Sequence, residues 1–393
     1  MNEKICVITS SRADYGLLKP LLDELSICET VELQLIVTGS HLSPEFGHTY
    51  KEIENDGFAI NGKIEILLSS DSPVGISKTM GLALISFAEE FDKLKPDIVV
   101  VMGDRYEIFS AVAAAHVNLL PVAHISGGEV TEGAIDDAFR HSITKMSHLH
   151  FTATEEYRRR VIQLGENPDS VFSVGETGLD NIKDIRLLTK TELKKTLGIR
   201  FDKRNILITF HPVTLEANTC KKQFQNLLSV LEEQMDTQLI FTKTNADTDG
   251  RVINQMIDDY VERNSKSSVS FTSLGRLRYL SVLQFVDAVV GNSSSGIVEA
   301  PSFNIGTIDV GDRQKGRVKA QSIINCKPTK ASIRNAFESL FSSRFQRTLE
   351  KVKNPYESEG GLQKIVEKIQ EYLKGNKGLK KGFFDLDISQ VVT

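Results

Sequence analysis

Short apolar runs recur along this chain, each closed by Gly, Ser, Asp or Pro and followed by residues at helical spacing. They occupy residues 4–9, 31–38, 97–102, 121–125, 149–152 and 171–174. Runs this short and this rich in Val and Ile read as strands buried on both faces, the habit of parallel sheets. Between them, residues 17–25, 106–116, 136–141 and 155–164 carry amphipathic helical spacing. The polar segment 39–48, with His41 and His48, is expected to be a mobile lid or a surface loop, and 69–75 a flexible one. A second series follows a junction near residues 180–200. A charged helix at 190–195 leads to strands at 205–210, 238–242 and 306–310. Another apolar run, 285–290, has its strand at 287–290. Residues 362–373 make a last amphipathic helix, and 375–381 a Lys/Gly tail expected to be solvated, with Phe383 and Phe384 packing near the end. Strand–helix alternation throughout predicts α/β architecture with doubly wound sheets. At 393 residues the chain exceeds one core and suits two domains of roughly 180 residues.

Composition narrows the function classes. Hydrophobic residues make up 40% and charged residues 25%, which is ordinary for a globular protein. A net charge of −5 argues against nucleic acid as the main partner, since phosphate backbones require a basic surface. A small anionic ligand stays open, because local donors decide there. Cys6, Cys28, Cys220 and Cys326 are scattered without ligand spacing, so they read as reduced and buried, in a cytoplasmic setting. Residues 1–4 run straight into a strand, so no signal peptide is expected, and no apolar run reaches the ~20 residues of a membrane span.

Candidate chemistry gathers at the carboxyl ends of the strands, where open α/β sheets hold ligands. Gly291-Asn292-Ser293-Ser294-Ser295-Gly296 follows one strand, and residues 297–300 read as the opening of a helix. Such a turn offers free N–H groups, serine hydroxyls and a helix dipole to phosphate, or is simply a capped turn. Glu299 sits where a carboxylate can accept from ribose hydroxyls. Arg12 is either a phosphate ligand or a surface partner of Asp14. Gly103-Asp104-Arg105 ends a central strand, with Asp104 either functional or a helix cap. Asp136-Asp137 and Arg140-His141 suit i,i+4 pairing on one helix. His211, Lys243-Thr244-Asn245 and Arg313 with Arg317 close the strands of the second half.

Taken together these stretches resemble one family. Ser11-Arg12-Ala13-Asp14-Tyr15-Gly16, Met102-Gly103-Asp104-Arg105, Gly127-Gly128-Glu129, Asp136-Asp137 with Arg140 to Lys145, Phe210-His211-Pro212, the Gly291–Gly296 turn and Asp309 to Gln314 are similar to motifs of the hydrolysing UDP-N-acetylglucosamine 2-epimerases, in order across residues 4–330. The resemblance implies two Rossmann-like domains facing a cleft, of glycosyltransferase-B type: residues 1–185 and 186–364, with a C-terminal helix (about 365–393) crossing back to the first. It implies a UDP-sugar substrate, elimination of UDP to 2-acetamidoglucal, hydration to N-acetylmannosamine, and a role in sialic-acid-type synthesis. It gives Asp104 and Asp136 acid–base work and puts His211 on the diphosphate side of the cleft. Arg12, Ser293, Ser294 and Arg313 go to the nucleotide and diphosphate, Glu299 to the ribose, and Arg105 and Asn245 to substrate binding. No cofactor or metal is expected, no nucleic acid or membrane partner, and assembly as a homodimer or homotetramer. In one departure, Ser126 stands where some members carry Glu, and either Glu129 takes that catalytic role or the sugar differs. A 2,4-diacetamido-trideoxy hexose, a nucleotide base other than uracil, a glycosyltransferase on the same fold, and a non-catalytic nucleotide-sugar binder are the competing readings.

Overall fold

The computed structural model describes residues 2–68, 70, 72–132, 134–180, 182, 185–213, 219–244, 250–375 and 378–387. These form two wholly parallel sheets. The first contains β1 (Glu3–Thr9), β2 (Val31–Thr38), β3 (Gly62–Ile64), β4 (Ile98–Met102), β5 (Val122–Ile125), β6 (Leu149–Thr152) and β7 (Val171–Ser173), in the order β3-β2-β1-β4-β5-β6-β7. The second contains β8 (Arg204–Thr209), β9 (Thr237–Thr242), β10 (Ser268–Phe271), β11 (Ala288–Gly291), β12 (Gly306–Val310) and β13 (Ile323–Cys326), in the order β10-β9-β8-β11-β12-β13.

The apolar runs lack polar alternation because both faces of each sheet are covered. Along β1, Ile5 and Val7 pack with Leu18, Leu21 and Leu22, while Cys6 and Ile8 pack on the other face with Phe87 and Ile108. Along β8, Ile206 and Ile208 meet Phe224 and Leu227, and Leu207 meets Leu280 and Val282. Strand order reverses between β1 and β4 in one sheet and between β8 and β11 in the other. At each reversal the connecting helices leave to opposite faces, which opens a crevice at the carboxyl ends of the strands.

The last helix, Gly361–Lys374, follows the second sheet in sequence but buries Leu362, Ile365, Ile369 and Tyr372 in the core of the first. Close approach at Gly361 permits this, since a Cβ there would lie 2.0 Å from the Val174 carbonyl oxygen. Asp180 accepts the Leu362 N–H at 2.8 Å. A crossing helix is therefore present, but it spans 361–374 where the resemblance implied about 365–393, and residues 378–387 carry no helix. A smaller apolar cluster joins the halves, with Tyr157 and Leu179 against Ile297, Val298 and Tyr356.

Several expectations change. His41 is fully buried in a 3-10 turn, its ring held by Thr9 Oγ1 at 3.0 Å and Thr49 Oγ1 at 2.7 Å, so the start of segment 39–48 is a packed joint. Ser72 caps a helix, Pro73–Leu94, that the pattern did not predict; Ser69 and Asp71 lie outside the described residues. The tail is exposed from 378 to 387, as expected, yet tethered: Lys381 Nζ donates to Ser147 O at 2.6 Å and to Glu166 at 2.8 Å, and Phe384 N–H to Gly165 O at 2.9 Å. The cysteines are free, but Cys28 and Cys326 are only half-buried. Among the described residues no helix is long and apolar enough to cross a membrane.

Burial lowers His41 to about 4 and His124 to about 3. In the unfolded chain both imidazoles titrate near ~6.5. Between these values the unfolded chain binds more protons at these two rings than the fold does, so their contribution is complete above pH ~6.5 and is lost as pH drops towards ~4. Glu176 and Glu299, raised to about 8 and about 7 by burial, act with the opposite sign over the same range, so the rings are read by difference. The gap in urea midpoint between the wild type and His124→Gln should narrow as pH falls from ~7 to ~4; a gap that stays constant would show that His124 does not couple folding to protons.

Candidate functional site

The carboxyl edges of the two sheets face each other across a cavity of about 210 Å³. Asp104, Arg105, Glu129, Asp136, His211, Ser293, Ser294, Glu299 and Arg313 all line it. Arg12 lines an adjoining cavity of about 180 Å³, which shares His211, Ser293, Ser294 and Glu299. Asn245 and Thr214 lie outside the described residues.

The first sheet contributes carboxylates held by buried guanidinium groups. Asp104 follows β4 and is not a cap; its carboxylate is ion-paired with Arg140 NH2. Arg140 is buried, and its NH1 also donates to Ser126 O at 2.6 Å and lies 3.5 Å from Glu129. This bonding replaces the expected helix-surface role of Arg140, whereas the Asp137–His141 pair is present at 3.7 Å. Glu129 is buried too, with Oε2 at 2.7 Å from Arg317 NH2 and Oε1 without a partner among the described residues. Neutral His124 fixes the tips of β4 and β5, with Nε2 at 2.8 Å from Gly103 O and Nδ1 at 3.1 Å from Thr144 Oγ1. Arg105 makes a two-pronged pair with buried Glu107, at 3.1 and 3.0 Å, which offsets its charge beside the cavity.

At β1, Asp14 does not pair with Arg12. It closes a capping box, accepting from Ser10 N at 2.8 Å and Ser11 N at 2.7 Å. That frees Arg12 to reach over the cleft to Lys243 O at 3.4 Å, and burial lowers it to about 10.

The second sheet contributes donors. Gly291 has φ +143, and a Cβ there would lie 1.9 Å from Thr209 O, so only glycine permits the turn. Asn292 then clamps the end of β8: its Oδ1 accepts His211 N–H at 2.6 Å and its Nδ2 donates to His211 O at 2.8 Å. Arg313 and Gln314 both donate to Asn292 O, at 3.2 and 2.9 Å. The helix expected to open at 297–300 is instead one turn, Ser295–Val298, followed by the 3-10 turn Ala300–Phe303. One turn carries little dipole, so the stronger donors at this edge are the serine hydroxyls, His211 and Arg313. Glu299, partly buried at the join of the two turns, is raised to about 7 by burial.

With that geometry in view, the comparisons are informative. Residues 23–370 match the family model described as UDP-N-acetylglucosamine 2-epimerase. The chain belongs to that family. It is 43% identical to the GDP/UDP-N,N'-diacetylbacillosamine 2-epimerase (hydrolyzing) of Campylobacter jejuni, covering 98% of this chain and 99% of that one. It is 38% identical to the polysialic acid biosynthesis protein P7 of Escherichia coli, covering 98% of each. The fold matches that of Neisseria meningitidis UDP-GlcNAc 2-epimerase, solved bound to UDP-GlcNAc, with TM-score 0.80, 18% identity and coverage of 94% and 100%.

For this family member, reading the sequence missed the hub role of Arg140, left Arg317 open as a surface cation, and overlooked Glu176 and Arg276. Glu176 sits after a strand, so the strand-tip rule was a usable signal; Arg276 lies on a helix away from any tip and gave none. Among the described residues no cluster of His, Cys, Asp and Glu suited to a metal converges.

Asn292→Ala would remove both side-chain bonds to the His211 backbone, so a loss of about 1–3 kcal/mol is expected. Thermal melting should show it together with weaker UDP binding. A melting point at the wild-type value would remove the clamp from its place in the site.

Proposed function

We propose that this chain is a hydrolysing 2-epimerase of a UDP-linked 2-acetamido sugar. The observation that carries the reading is the facing of unlike groups across one cavity, carboxylates of the first sheet against guanidinium, imidazole and hydroxyl donors of the second. The reaction requires both. A base takes the proton from carbon 2 while UDP leaves carbon 1; water then adds to the unsaturated sugar, giving free sugar with carbon 2 inverted. Asp104, Asp136 and Glu129 are the acid–base set. Glu129 enters it with one oxygen tied to Arg317 and the other facing no donor. Its burial distinguishes it from a loop carboxylate exposed to water. Arg12, Arg313, His211, Ser293 and Ser294 receive the diphosphate, whose charge grows as the bond to carbon 1 breaks. Near pH 7 Glu299 exists in both protonation states, so it can accept from and donate to ribose hydroxyls. Arg105 and Asn245 complete the binding set.

The similarity to the Campylobacter protein favours a 2,4-diacetamido-trideoxy hexose as the sugar. The 31% identity to the UDP-N-acetylglucosamine 2-epimerase of Neisseria meningitidis, covering 98% of this chain and 100% of that one, supports UDP-N-acetylglucosamine as the second reading. Both nucleotide sugars, offered separately in heavy water and followed by mass spectrometry, decide. The expected product is a free 2-epimerised sugar carrying deuterium at carbon 2, with no acceptor present. A stable UDP-linked epimer, or a requirement for an acceptor, would point to a non-hydrolysing epimerase or a transferase instead.

Two variant sets separate chemistry from binding. Asp104→Asn and Asp136→Asn should each lower turnover by ~10²–10⁴, with UDP affinity retained. Ser294→Ala and Arg313→Ala should weaken UDP itself in a calorimetric titration. Wild-type turnover in the first set, or wild-type UDP affinity in both of the second, would reverse the respective assignment.

A further inference from the structure

Glu176 lines the same cavity, and the acid–base set above leaves it unused. It stands in the turn Gly175-Glu176-Thr177-Gly178 after β7 and is only 5% exposed. The turn is anchored on both sides. Glu176 N–H donates to Tyr356 O at 2.9 Å, and the Thr177 hydroxyl donates to Leu17 O at 2.8 Å. Gly175, at φ +76, packs so closely that a Cβ would lie 2.5 Å from Ser358 Cβ. The carboxyl group is thus carried into the cavity wall by backbone with little room to move.

Its surroundings differ from those of the other carboxyl groups. Asp104 and Glu129 each meet a guanidinium group. The side-chain neighbour of Glu176 is the Thr177 hydroxyl, 3.4 Å from Oε1. The charged groups that bear on it are Glu129 and Glu299 on one side of the balance, Arg317 and Arg140 on the other. Burial first, and then the two glutamates, raise it to about 8. At neutral pH the cavity wall therefore holds a carboxyl group that keeps its proton, beside others paired with cations. Environments that split carboxyl groups in this way divide acid from base work.

The reaction proposed above has a place for such a group. Inversion at carbon 2 needs a proton removed from one face and another delivered to the opposite face. Removal calls for a base, delivery for an acid. Resting on the epimerase reading, we propose that Glu176 is the acid that delivers the proton to carbon 2 of the unsaturated sugar. The π pair of the carbon 1–carbon 2 double bond forms the new C–H bond, and Glu176 is left as a carboxylate. The positive charge created at carbon 1, shared with the ring oxygen, is met by a lone pair of water. That water gives up one proton to solvent, and Glu176 regains its own from solvent before the next turnover.

The test uses Glu176→Gln, which keeps size and a hydrogen-bond donor but cannot give a proton. Elimination should continue, so UDP and unsaturated sugar accumulate, while release of epimerised sugar falls ~10²–10⁴-fold. Calorimetric UDP affinity should stay at the wild-type value. In the wild type, hydration of added unsaturated sugar in the presence of UDP should weaken as pH rises through about 8, because the acid form is lost there. Residual hydration by the variant should lack that limb, and Glu176→Asp should restore part of the rate. Wild-type release of epimerised sugar by Glu176→Gln would overturn the proposal, as would loss of elimination with UDP affinity intact. Should the variant fail to fold, the wild-type profile decides alone: hydration unchanged from pH 7 to about 9.5 would also overturn it. A wild type that forms free sugar from neither UDP-linked substrate, nor from the GDP-linked diacetamido sugar that the name of the Campylobacter relative includes, would overturn the epimerase reading itself, and this proposal with it.

Discussion

Arg140 is the charge on which the first half of the site depends. Its guanidinium, 3% exposed, touches the carboxylate after β4, the carbonyl of Ser126 after β5 and the carboxylate of Glu129. A buried cation of this kind is tolerated only while its partners stay in place, and those partners are costly to bury without it. The loops after β4 and β5 are therefore set by one group on the helix Asp136–Met146. Ser126 itself adopts φ +61, an uncommon conformation for a residue with a Cβ, and the bond from Arg140 to its carbonyl helps hold it there.

The same logic extends across the cleft. Glu129 belongs to the first sheet, but its closest cation, Arg317, belongs to the second. Lys315 pairs with Glu132 at 2.8 Å, and Arg251 with Glu45 at 3.0 Å, both between the halves. The last two are exposed and contribute little stability individually. The Arg317–Glu129 pair is buried, so it is strong where the halves meet and unfavourable to separate without solvent entering. Tyr157 and Tyr356 support it, with hydroxyls 2.8 Å apart and the Tyr157 oxygen accepting Val318 N–H at 2.9 Å. Approach of the two halves thus completes the electrostatic setting of the carboxyl groups.

That setting is uneven by construction. Asp104 and Glu129 are ion-paired, Glu176 is buried among like charges, and Glu299 is enclosed at the join of two short turns. Carboxyl groups lining one cavity are therefore given unlike electrostatic settings by burial and by Arg140, Arg317 and Arg276. Glycine at 291 matters for a different reason, since no other residue allows the chain to turn against Thr209 and present Asn292 to His211.

Much of this was legible in the chain itself. Strands as short as β4 and β11 stand out because both their faces are covered, so every position is apolar and polar loop residues mark their ends. The strand-tip rule then found Asp104, Glu129, His211, Ser293, Ser294 and Arg313, because crevice residues in such sheets follow strands in sequence. Other features depended on partners distant along the chain. Whether Asp14 met Arg12 or capped its own helix, whether Arg140 served its helix face or the loops beside it, and whether Arg317 met water or Glu129 were decided by packing between elements. The same holds for Glu176, whose protonation follows from burial and from Glu129 and Glu299 brought beside it. Local pattern determines which residues end a strand; the ionisation and partners of those residues arise only from the dielectric and charges that tertiary contact places around them.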